Sequence, residues 1–419
     1  MEAAGKVPAL PLTIMGAKSI FHVIILILSL LSTPCRSYAQ GTEDANQPEA
    51  RLITRFPFKQ YYGGVVVIYA RLNNFPDTLQ FLLDTGSAGI SLDTATCVRL
   101  GLKLTPSDRV VRGLAASKTI SYAADNTLHL PGLSVDSLDF HINNYELISQ
   151  VYGIQIDGII GYSLLSKFIM QVDYDKEEIL MWTNGEFKYP RGGQMIKPNL
   201  TFIPVINAPL KSGKRNISHR YYFDTGAGMC LLLSTQFVKD SSLLVKRKAK
   251  VIPTEAQGLG GKMQMYITTM TEFKVGNYSF RNVPTYLFDD ITNITSYPSL
   301  AGMIGNDLLR RFNLTLNYSK KEIHIIPNTH FRDHFDYSYT GLIIYLIDNR
   351  IEVTDVIRNS PAEKAGFQVG DVILAINNNF STNLQLYRDI LKNIGTRPKL
   401  LLMRNKELMV KQLPIRSIL

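Results

Sequence analysis

The chain has 419 residues, of which 45% are hydrophobic, and a formal net charge of +10. This length suits two or three domains, and the apolar fraction is ordinary for a globular protein with a sizeable core. The basic residues are spread along the chain, with the densest group at Lys246-Arg247-Lys248 and Lys250, and they are not interleaved with aromatic residues as a nucleic-acid-binding surface requires. We therefore expect no nucleic-acid partner.

The segment from Met1 to Ala39 has the pattern of a secretory signal peptide. Lys6 and Lys18 precede an apolar run from Ile20 to Leu31, and Ser37-Tyr38-Ala39 places small residues at the two positions that precede cleavage. We predict cleavage after Ala39 and export to a periplasmic or extracellular location. The apolar run is short for a membrane span, although a retained segment would leave the protein membrane-associated. Residues 40–50 are polar and are predicted to form a flexible leader.

An apolar strand that ends in an aspartate turn is predicted early in the chain. The β-branched run from Val65 to Ala70 indicates one strand, and Thr78 to Leu83 indicates the strand that returns from the following turn. This second strand leads into Asp84-Thr85-Gly86-Ser87, where glycine permits a tight turn with the carboxylate at its tip. Gly113-Leu114 follows in a Gly/Ala-rich segment that we interpret as a mobile flap over the turn, with an ordinary hairpin as the alternative. An apolar segment bounded by glycines, Gly158-Ile159-Ile160-Gly161, comes later in the same half of the chain.

The same order of segments recurs in the second half of the chain. Strands are predicted for Phe202 to Ile206 and for His219 to Phe223, and the latter leads into Asp224-Thr225-Gly226-Ala227. Gly258-Leu259 stands where Gly113-Leu114 stands in the first copy. Gly302-Met303-Ile304-Gly305 follows, and the interval from Asp224 to Gly305 is nearly the same as the interval from Asp84 to Gly161. The repeat of both segments at similar spacing makes a chance match of a short motif improbable.

This duplicated pattern resembles the aspartic peptidases of the pepsin and retropepsin type over roughly residues 60–327. The resemblance implies a mainly β protein whose two lobes, at residues 51–198 and 199–328, are related by a pseudo-twofold axis. It also implies that Asp84 and Asp224 are catalytic and that the flap residues Gly113, Leu114, Gly258 and Leu259 contact substrate. The residues implied to support the carboxylates are Thr85, Gly86, Ser87, Thr225, Gly226 and Ala227.

In this family the two carboxylates share one proton, because like charges at hydrogen-bond distance do not both ionise. The ionised member activates a water and the protonated member polarises the scissile carbonyl, so the resemblance implies neither a cofactor nor a metal. The two turns differ at one position, where Ser87 corresponds to Ala227. We expect the Ser87 hydroxyl to donate to the adjacent carboxylate, which would make Asp84 the more readily ionised member and Asp224 the proton holder.

The sequence changes character after residue 328. Ser360-Pro361-Ala362-Glu363-Lys364-Ala365-Gly366 and Gly370-Asp371-Val372-Ile373 resemble a PDZ domain of the bacterial type, here at residues 329–419. The resemblance implies an α+β domain with a groove for a C-terminal peptide ligand. Its carboxylate-binding loop corresponds to Thr340-Gly341-Leu342-Ile343, and the segment from Thr382 to Ile394 corresponds to the helix that flanks the groove.

Other site chemistry is less well supported by the sequence. His330 and His334 lack a third ligand at a zinc-like spacing, so no metal site is predicted. Cys97 and Cys230 follow their respective aspartates at different intervals, so the repeat does not pair them; we expect two buried free thiols, with a disulfide left open. Two functions remain, both with a peptide or protein partner. One is an exported aspartic endopeptidase whose PDZ domain binds peptide tails or regulates access, and the other is a catalytically silent frame that acts as a PDZ peptide-binding or scaffold protein.

Overall fold

The computed structural model describes residues 48–112, 117–245, 250–258, 261–295 and 297–419. The predicted signal peptide and most of the predicted leader, together with Gly113, Leu114 and Leu259, lie outside these residues. None of the helices in the described ranges has both the length and the apolar character needed to cross a bilayer.

The described residues are mainly β. The strands are β1 (Leu52–Pro57), β2 (Lys59–Gln60), β3 (Val66–Leu72), β4 (Leu79–Leu83), β5 (Ile90–Asp93), β6 (Thr105–Arg112), β7 (Ser117–Leu130), β8 (Leu133–Asn143), β9 (Gly158–Ile160), β10 (Ile169–Asp173), β11 (Glu178–Trp182), β12 (Gln194–Ile196), β13 (Asn199–Leu200), β14 (Pro204–Ser212), β15 (Arg215–Phe223), β16 (Leu231–Ser234), β17 (Ile252–Gly258), β18 (Gly261–Val275), β19 (Tyr278–Phe288), β20 (Gly302–Ile304), β21 (Phe312–Asn317), β22 (Glu322–Pro327), β23 (Leu342–Ile347), β24 (Arg350–Val356), β25 (Val372–Ile376), β26 (Lys399–Arg404) and β27 (Glu407–Gln412). The α-helices are α1 (Thr94–Leu100), α2 (Glu146–Tyr152), α3 (Tyr162–Leu165), α4 (Thr235–Asp240), α5 (Asn306–Leu309), α6 (Pro361–Lys364) and α7 (Leu384–Leu391), and single 3₁₀ turns occur at Tyr62–Gly64 and Thr329–Arg332.

The two lobes share one sheet topology. The first lobe has the strand order β2-β3-β4-β9-β5-β8-β7-β6, and an additional pairing of β3 with β7 brings the two ends of the sheet together. The second lobe repeats this as β13-β14-β15-β20-β16-β19-β18-β17, with β14 also paired to β18. In each lobe the strand that precedes the Asp-Thr-Gly turn runs parallel to the short strand of the apolar-Gly segment. The predicted mainly β, two-lobed architecture is confirmed.

A third sheet joins the lobes. Its order is β1-β11-β10-β21-β22-β12, and the antiparallel pairing of β10 with β21 crosses from the first lobe to the second. The apolar faces of this sheet and of both lobe sheets merge into one buried cluster, which includes Phe81, Phe223 and Phe312. Because burial of apolar area is the main favourable term in folding, this continuous core holds the two halves of the site in a defined relative position.

The C-terminal domain has its own core and its own sheet, in which β23 to β27 are neighbours in sequence order. Ser360 caps α6 by accepting a hydrogen bond from Glu363 N–H (3.2 Å), and Pro361 occupies the first turn, where its missing N–H is not needed. Asn383 caps α7 by accepting from Leu386 N–H (3.0 Å). β23 and β27 are the edge strands of this sheet, and β23 is the one that contacts α7, so an added peptide strand could pair with β23 beside that helix.

One buried carboxylate connects the C-terminal domain to both lobes. Asp336 accepts a hydrogen bond from Gly63 N–H of the first lobe (2.9 Å) and forms an ion pair with Lys392 at the end of α7 (2.9 Å). Its own backbone N–H donates to the Asp307 carboxylate of the second lobe (2.6 Å). At the end of the chain, Ile415 and Ile418 pack with Ile252 and Ile267 at the base of the β17–β18 hairpin. These contacts place the C-terminal domain against the cleft between the lobes.

Candidate active site

The two Asp-Thr-Gly turns are held by the apolar-Gly segments that lie beside them. Asp84 N–H donates to Ile160 C=O (2.9 Å), and Asp224 N–H donates to Ile304 C=O (3.0 Å). Gly305 must be glycine, because a Cβ atom there would lie 2.1 Å from Met229 C=O. The two apolar-Gly segments therefore hold the backbone of each aspartate in place through these hydrogen bonds.

The two turns are joined by crossed hydrogen bonds from their threonine side chains. Thr85 Oγ1 donates to Phe223 C=O (2.6 Å) and accepts from Thr225 N–H (3.0 Å). Thr225 Oγ1 donates to Leu83 C=O (3.1 Å) and accepts from Thr85 N–H (3.0 Å). Both threonines are buried, so these four bonds have no competition from water and hold the turns together across the pseudo-twofold axis.

The structure brings Asp84 and Asp224 into direct contact. A Cβ atom on Gly86 would lie 2.5 Å from Asp224 Cγ, and one on Gly226 would lie 2.3 Å from Asp84 Cγ. Each carboxylate therefore packs over the glycine of the opposite turn, and the two carboxyl groups hydrogen-bond each other. Each also accepts from the glycine of its own turn, at 2.7 Å for Gly86 N–H and 2.8 Å for Gly226 N–H.

The two carboxyl groups share one proton. Burial and the neighbouring charge of Asp224 raise the pKa of Asp84 well above its usual range, and the backbone N–H groups of Gly86 and Ser87 oppose that rise. Burial also raises the pKa of Asp224, and the hydrogen bond with Asp84 and the backbone N–H groups of Gly226 and Ala227 oppose that rise. The pair therefore keeps one proton above the ordinary aspartate range, and it titrates as a unit.

The expected role of Ser87 is wrong. Its hydroxyl lies 3.5 Å from Gly89 C=O, to which it donates, and it does not hydrogen-bond to Asp84. The backbone supports both carboxylates at this position, because Ala227 N–H donates to Asp224 Oδ1 (3.0 Å) and the N–H of Ser87 lowers the pKa of Asp84. Hydrogen bonds to the charged form lower a carboxyl pKa. Because the Ser87 hydroxyl does not reach Asp84, it does not make Asp84 the more readily ionised member.

Two family models match the chain. A model described as aspartyl protease matches residues 68–164 and 211–308, one segment in each lobe. A model described as PDZ domain matches residues 352–404. The chain has the two lobes of an aspartyl protease, followed by a PDZ domain. A search of curated proteins gave no match.

Asp84 and Asp224 line a cavity of about 570 Å³, a volume within the usual range for ligand sites. Both lobes and the PDZ domain line it. The lobes contribute Asp84, Gly86, Asp224, Gly226, Ala227, Tyr62, Ile148, Val151 and Tyr152, among others, and the PDZ domain contributes Thr340, Leu342, Ile343, Ile344, Tyr345, Arg388, Leu391 and Lys392. In the flap predicted for the second lobe, β17 ends at Gly258, and Gly258 pairs with Gly261 of β18.

The predicted carboxylate-binding loop of the PDZ domain faces this cavity, but its N–H groups have partners within the loop. Gly341 N–H donates to Ser338 C=O (3.4 Å), and Leu342 N–H donates to the Thr340 hydroxyl (3.2 Å). Gly341 has φ +72°, and a Cβ atom there would lie 2.3 Å from Ser360 Cβ, so the turn requires glycine. Leu342 and Ile343 begin β23.

Sequence reasoning missed Arg388, Lys392 and Tyr152 as residues of the site. Arg388 lies between Leu384 and Leu391 on the apolar stripe of α7, and a basic residue in such a stripe was a usable signal. Tyr152 and Lys392 gave no comparable signal, because their places depend on contacts between domains. Both predicted thiols, Cys97 and Cys230, are buried and free.

Proposed function

We propose that the protein is an exported aspartic endopeptidase that hydrolyses peptide bonds with a water activated by Asp84 and Asp224. The observation that carries this proposal is the dyad itself. Two carboxyl groups hydrogen-bond each other beside a cavity, burial raises the pKa of both, and four crossed threonine bonds fix their separation. This arrangement provides a general base and a general acid next to each other.

The mechanism follows from the shared proton. The ionised member of the pair accepts a proton from a water held between the carboxylates, and that water attacks the scissile carbonyl carbon. The protonated member donates to the carbonyl oxygen and stabilises the developing negative charge. Because burial and the charge of Asp224 raise the pKa of Asp84, the shared proton is retained above the ordinary aspartate range. Activity is therefore expected to persist as the pH rises through that range and to fall when the shared proton is lost.

The PDZ domain has a place in this proposal because it forms part of the cavity wall. Thr340, Leu342 and Ile343 line the same space as the dyad, so a peptide at the carboxylates also meets the PDZ domain. This arrangement supports a role for the domain in binding the substrate or in regulating access to the dyad.

Export is proposed from the amino-terminal sequence pattern. The two buried thiols are compatible with an oxidising location, since burial raises the pKa of Cys97 to about 11 and the pKa of Cys230 well above its usual value. Thiols that stay protonated react slowly with disulfides.

The test is hydrolysis of a fluorogenic peptide library by the parent protein and by Asp84→Asn and Asp224→Asn. Each isosteric amide keeps the shape but removes an acid or base, so we expect a loss of at least about a hundredfold in kcat/KM. Titration with a statine-containing peptide measures the concentration of intact sites in the parent. Near-normal turnover by either variant would refute the dyad mechanism. An intact statine site without turnover in the parent would favour the silent peptide-binding frame.

A further inference from the structure

A buried guanidinium lies in the cavity wall where the PDZ domain meets the first lobe. Arg388 extends from α7 and is only 8% exposed. Its Nη2 donates to Ile344 C=O (2.9 Å), and its Cζ lies 4.5 Å from the ring centroid of Tyr62 and 6.0 Å from that of Tyr345. Its Nη1 is also buried and has no hydrogen-bond partner among the described residues.

The charge of Arg388 is not balanced by a carboxylate. Burial lowers the pKa of Arg388, but a guanidinium starts so far above neutral pH that it remains protonated in proteins. The carboxylate of Asp336 raises the pKa of Arg388 from nearby, but it is already paired with Lys392 at 2.9 Å, and Arg388 forms no ion pair within the described ranges. A buried charge without a counter-ion is costly, so an anion that enters the cavity beside Nη1 is favoured.

The surroundings restrict how a peptide can approach Arg388. β23 and α7 are the two walls of the PDZ groove, and α2 of the first lobe packs against β23. At the end of α2, a Cβ atom on Gly153 would lie 2.8 Å from Leu384 Cβ, so the backbone there contacts the start of α7 directly. The first lobe thus closes the Leu384 end of the groove, whereas the Arg388 end opens into the cavity of the dyad.

The cavity itself connects Arg388 to the carboxylates. Tyr152 lines this cavity together with Arg388, Asp84 and Asp224, and the pKa of its phenol, raised first by burial, is lowered by Arg388 and raised by Asp224 and Asp84. The cavity that Arg388 lines also has apolar walls, which include Ile148, Val151, Leu342 and Leu391. This combination of one unbalanced cation and apolar walls matches a chain end that has an apolar side chain and a free carboxylate.

We propose, on the basis of the peptidase function proposed above, that Arg388 binds the terminal carboxylate of the substrate peptide and that the enzyme cleaves at a short, fixed distance from a free C-terminus. The substrate class is peptides and proteins with an apolar C-terminal residue. The carboxylate accepts hydrogen bonds from the guanidinium, rather than from the N–H groups of Gly341 and Leu342, which have partners within their loop. The preceding residues extend through the cavity toward Asp84 and Asp224.

The first experiment uses the parent protein and peptides of one sequence with an apolar last residue, made as the free acid and as the C-terminal amide. We expect kcat/KM for the acid to exceed that for the amide by at least tenfold, about 1.4 kcal/mol. Mass spectrometry of the products tests the distance. Residues added at the N-terminus should leave the cleaved bond at the same distance from the C-terminus, and residues added at the C-terminus should move it. Equal cleavage of acid and amide would overturn the proposal. Cleavage between the same two residues regardless of their distance from the C-terminus would also overturn it.

Variants and a binding measurement separate this proposal from the peptidase function. Arg388→Met should abolish the preference for the acid, Arg388→Lys should retain part of it, and Arg350→Met, at an exposed site on β24, should leave it unchanged. Statine titration of each variant confirms that its dyad is intact. Fluorescence anisotropy with Asp84→Asn then measures binding of both peptides without turnover. Tighter binding of the acid without hydrolysis by the parent would support the Arg388 site and refute the peptidase function, and equal binding of both peptides would refute the Arg388 site.

Discussion

Replacing Thr85 with valine tests whether the crossed hydrogen bonds hold the dyad. Valine has nearly the same shape as threonine, but it lacks the hydroxyl that donates to Phe223 C=O at 2.6 Å and accepts from Thr225 N–H at 3.0 Å. Both partners belong to the opposite lobe, and Thr85 has 0% exposure, so no water replaces the lost bonds. The substitution therefore leaves one buried acceptor and one buried donor without a partner.

The size of the effect follows from these two groups. An unsatisfied buried polar group costs about 1–3 kcal/mol, so Thr85→Val is expected to lower the free energy of unfolding by roughly 2–6 kcal/mol. Thr225 keeps the reverse pair of bonds, to Leu83 C=O and from Thr85 N–H, and these should preserve the overall position of the lobes. A shift of the carboxylates by about 1 Å is enough to reduce turnover by roughly a hundredfold.

Urea unfolding of the parent, Thr85→Val and Thr85→Ser measures the stability difference, and statine titration followed by kcat/KM measures the dyad. Thr85→Ser is the matched control, because it keeps the hydroxyl and loses one methyl group, at about 0.8 kcal/mol. If Thr85→Val were as stable and as active as Thr85→Ser, the crossed bonds would not be what holds the two carboxylates.

Two further predictions concern the turns and the contact between the lobes. The Ser87 hydroxyl donates to Gly89 C=O rather than to Asp84. Ser87→Ala should therefore leave the upper limb of the pH profile of kcat/KM within about 0.3 pH units of the parent, which corresponds to about 0.4 kcal/mol. An upward shift of a full pH unit would instead show that this hydroxyl stabilises the Asp84 carboxylate. Gly63→Ala should lower the free energy of unfolding by roughly 2–5 kcal/mol, from an unfavourable backbone and overpacking, since Gly63 has φ +68° and its Cβ would lie 2.2 Å from Gly228 C=O. Its control in urea unfolding is Gly213→Ala, which has φ +58° and no atom within 4 Å and should lose about 1–2 kcal/mol; equal losses would show that the contact with Gly228 contributes nothing.

The fold and the pairing of the carboxylates were predictable because both depend on short sequence segments that occur twice in the chain. An apolar strand that ends in Asp-Thr-Gly and an apolar-Gly strand beside it form one unit, in which Ile160 C=O accepts from Asp84 N–H and Ile304 C=O accepts from Asp224 N–H. Two copies of such a unit on one chain indicate a pseudo-twofold axis, and the axis brings the carboxylates together. The PDZ domain was predictable for the same reason, since Ser360-Pro361 and the capped helix that follows form a local signal.

The role of the Ser87 hydroxyl was not predictable, because it depends on the geometry of an individual donor. The sequence shows a hydroxyl at Ser87 and none at Ala227, a difference that suggests Asp84 is the better stabilised anion. Whether a hydroxyl reaches a carboxylate depends on its side-chain rotamer, and the Ser87 hydroxyl donates to Gly89 C=O. The backbone N–H groups of Ser87 and Ala227 each lower the pKa of the aspartate in their own turn, and these contacts do not depend on the side chain. Side-chain identity alone therefore does not distinguish the two carboxyl groups.

The position of the PDZ domain relative to the two lobes also could not be predicted from the sequence. This position changes the symmetry of the site. Two lobes related by a pseudo-twofold axis treat the two directions of an extended peptide nearly alike, because each direction meets equivalent backbone groups. In this protein Asp336 joins α7 to both lobes through Lys392, Gly63 and Asp307, so the PDZ domain covers one side of the cleft. Arg388 then provides positive charge on that side of the dyad. A peptide that places its carboxylate at Arg388 can cross the dyad in only one direction, so the PDZ domain would set the polarity of the substrate as well as its position.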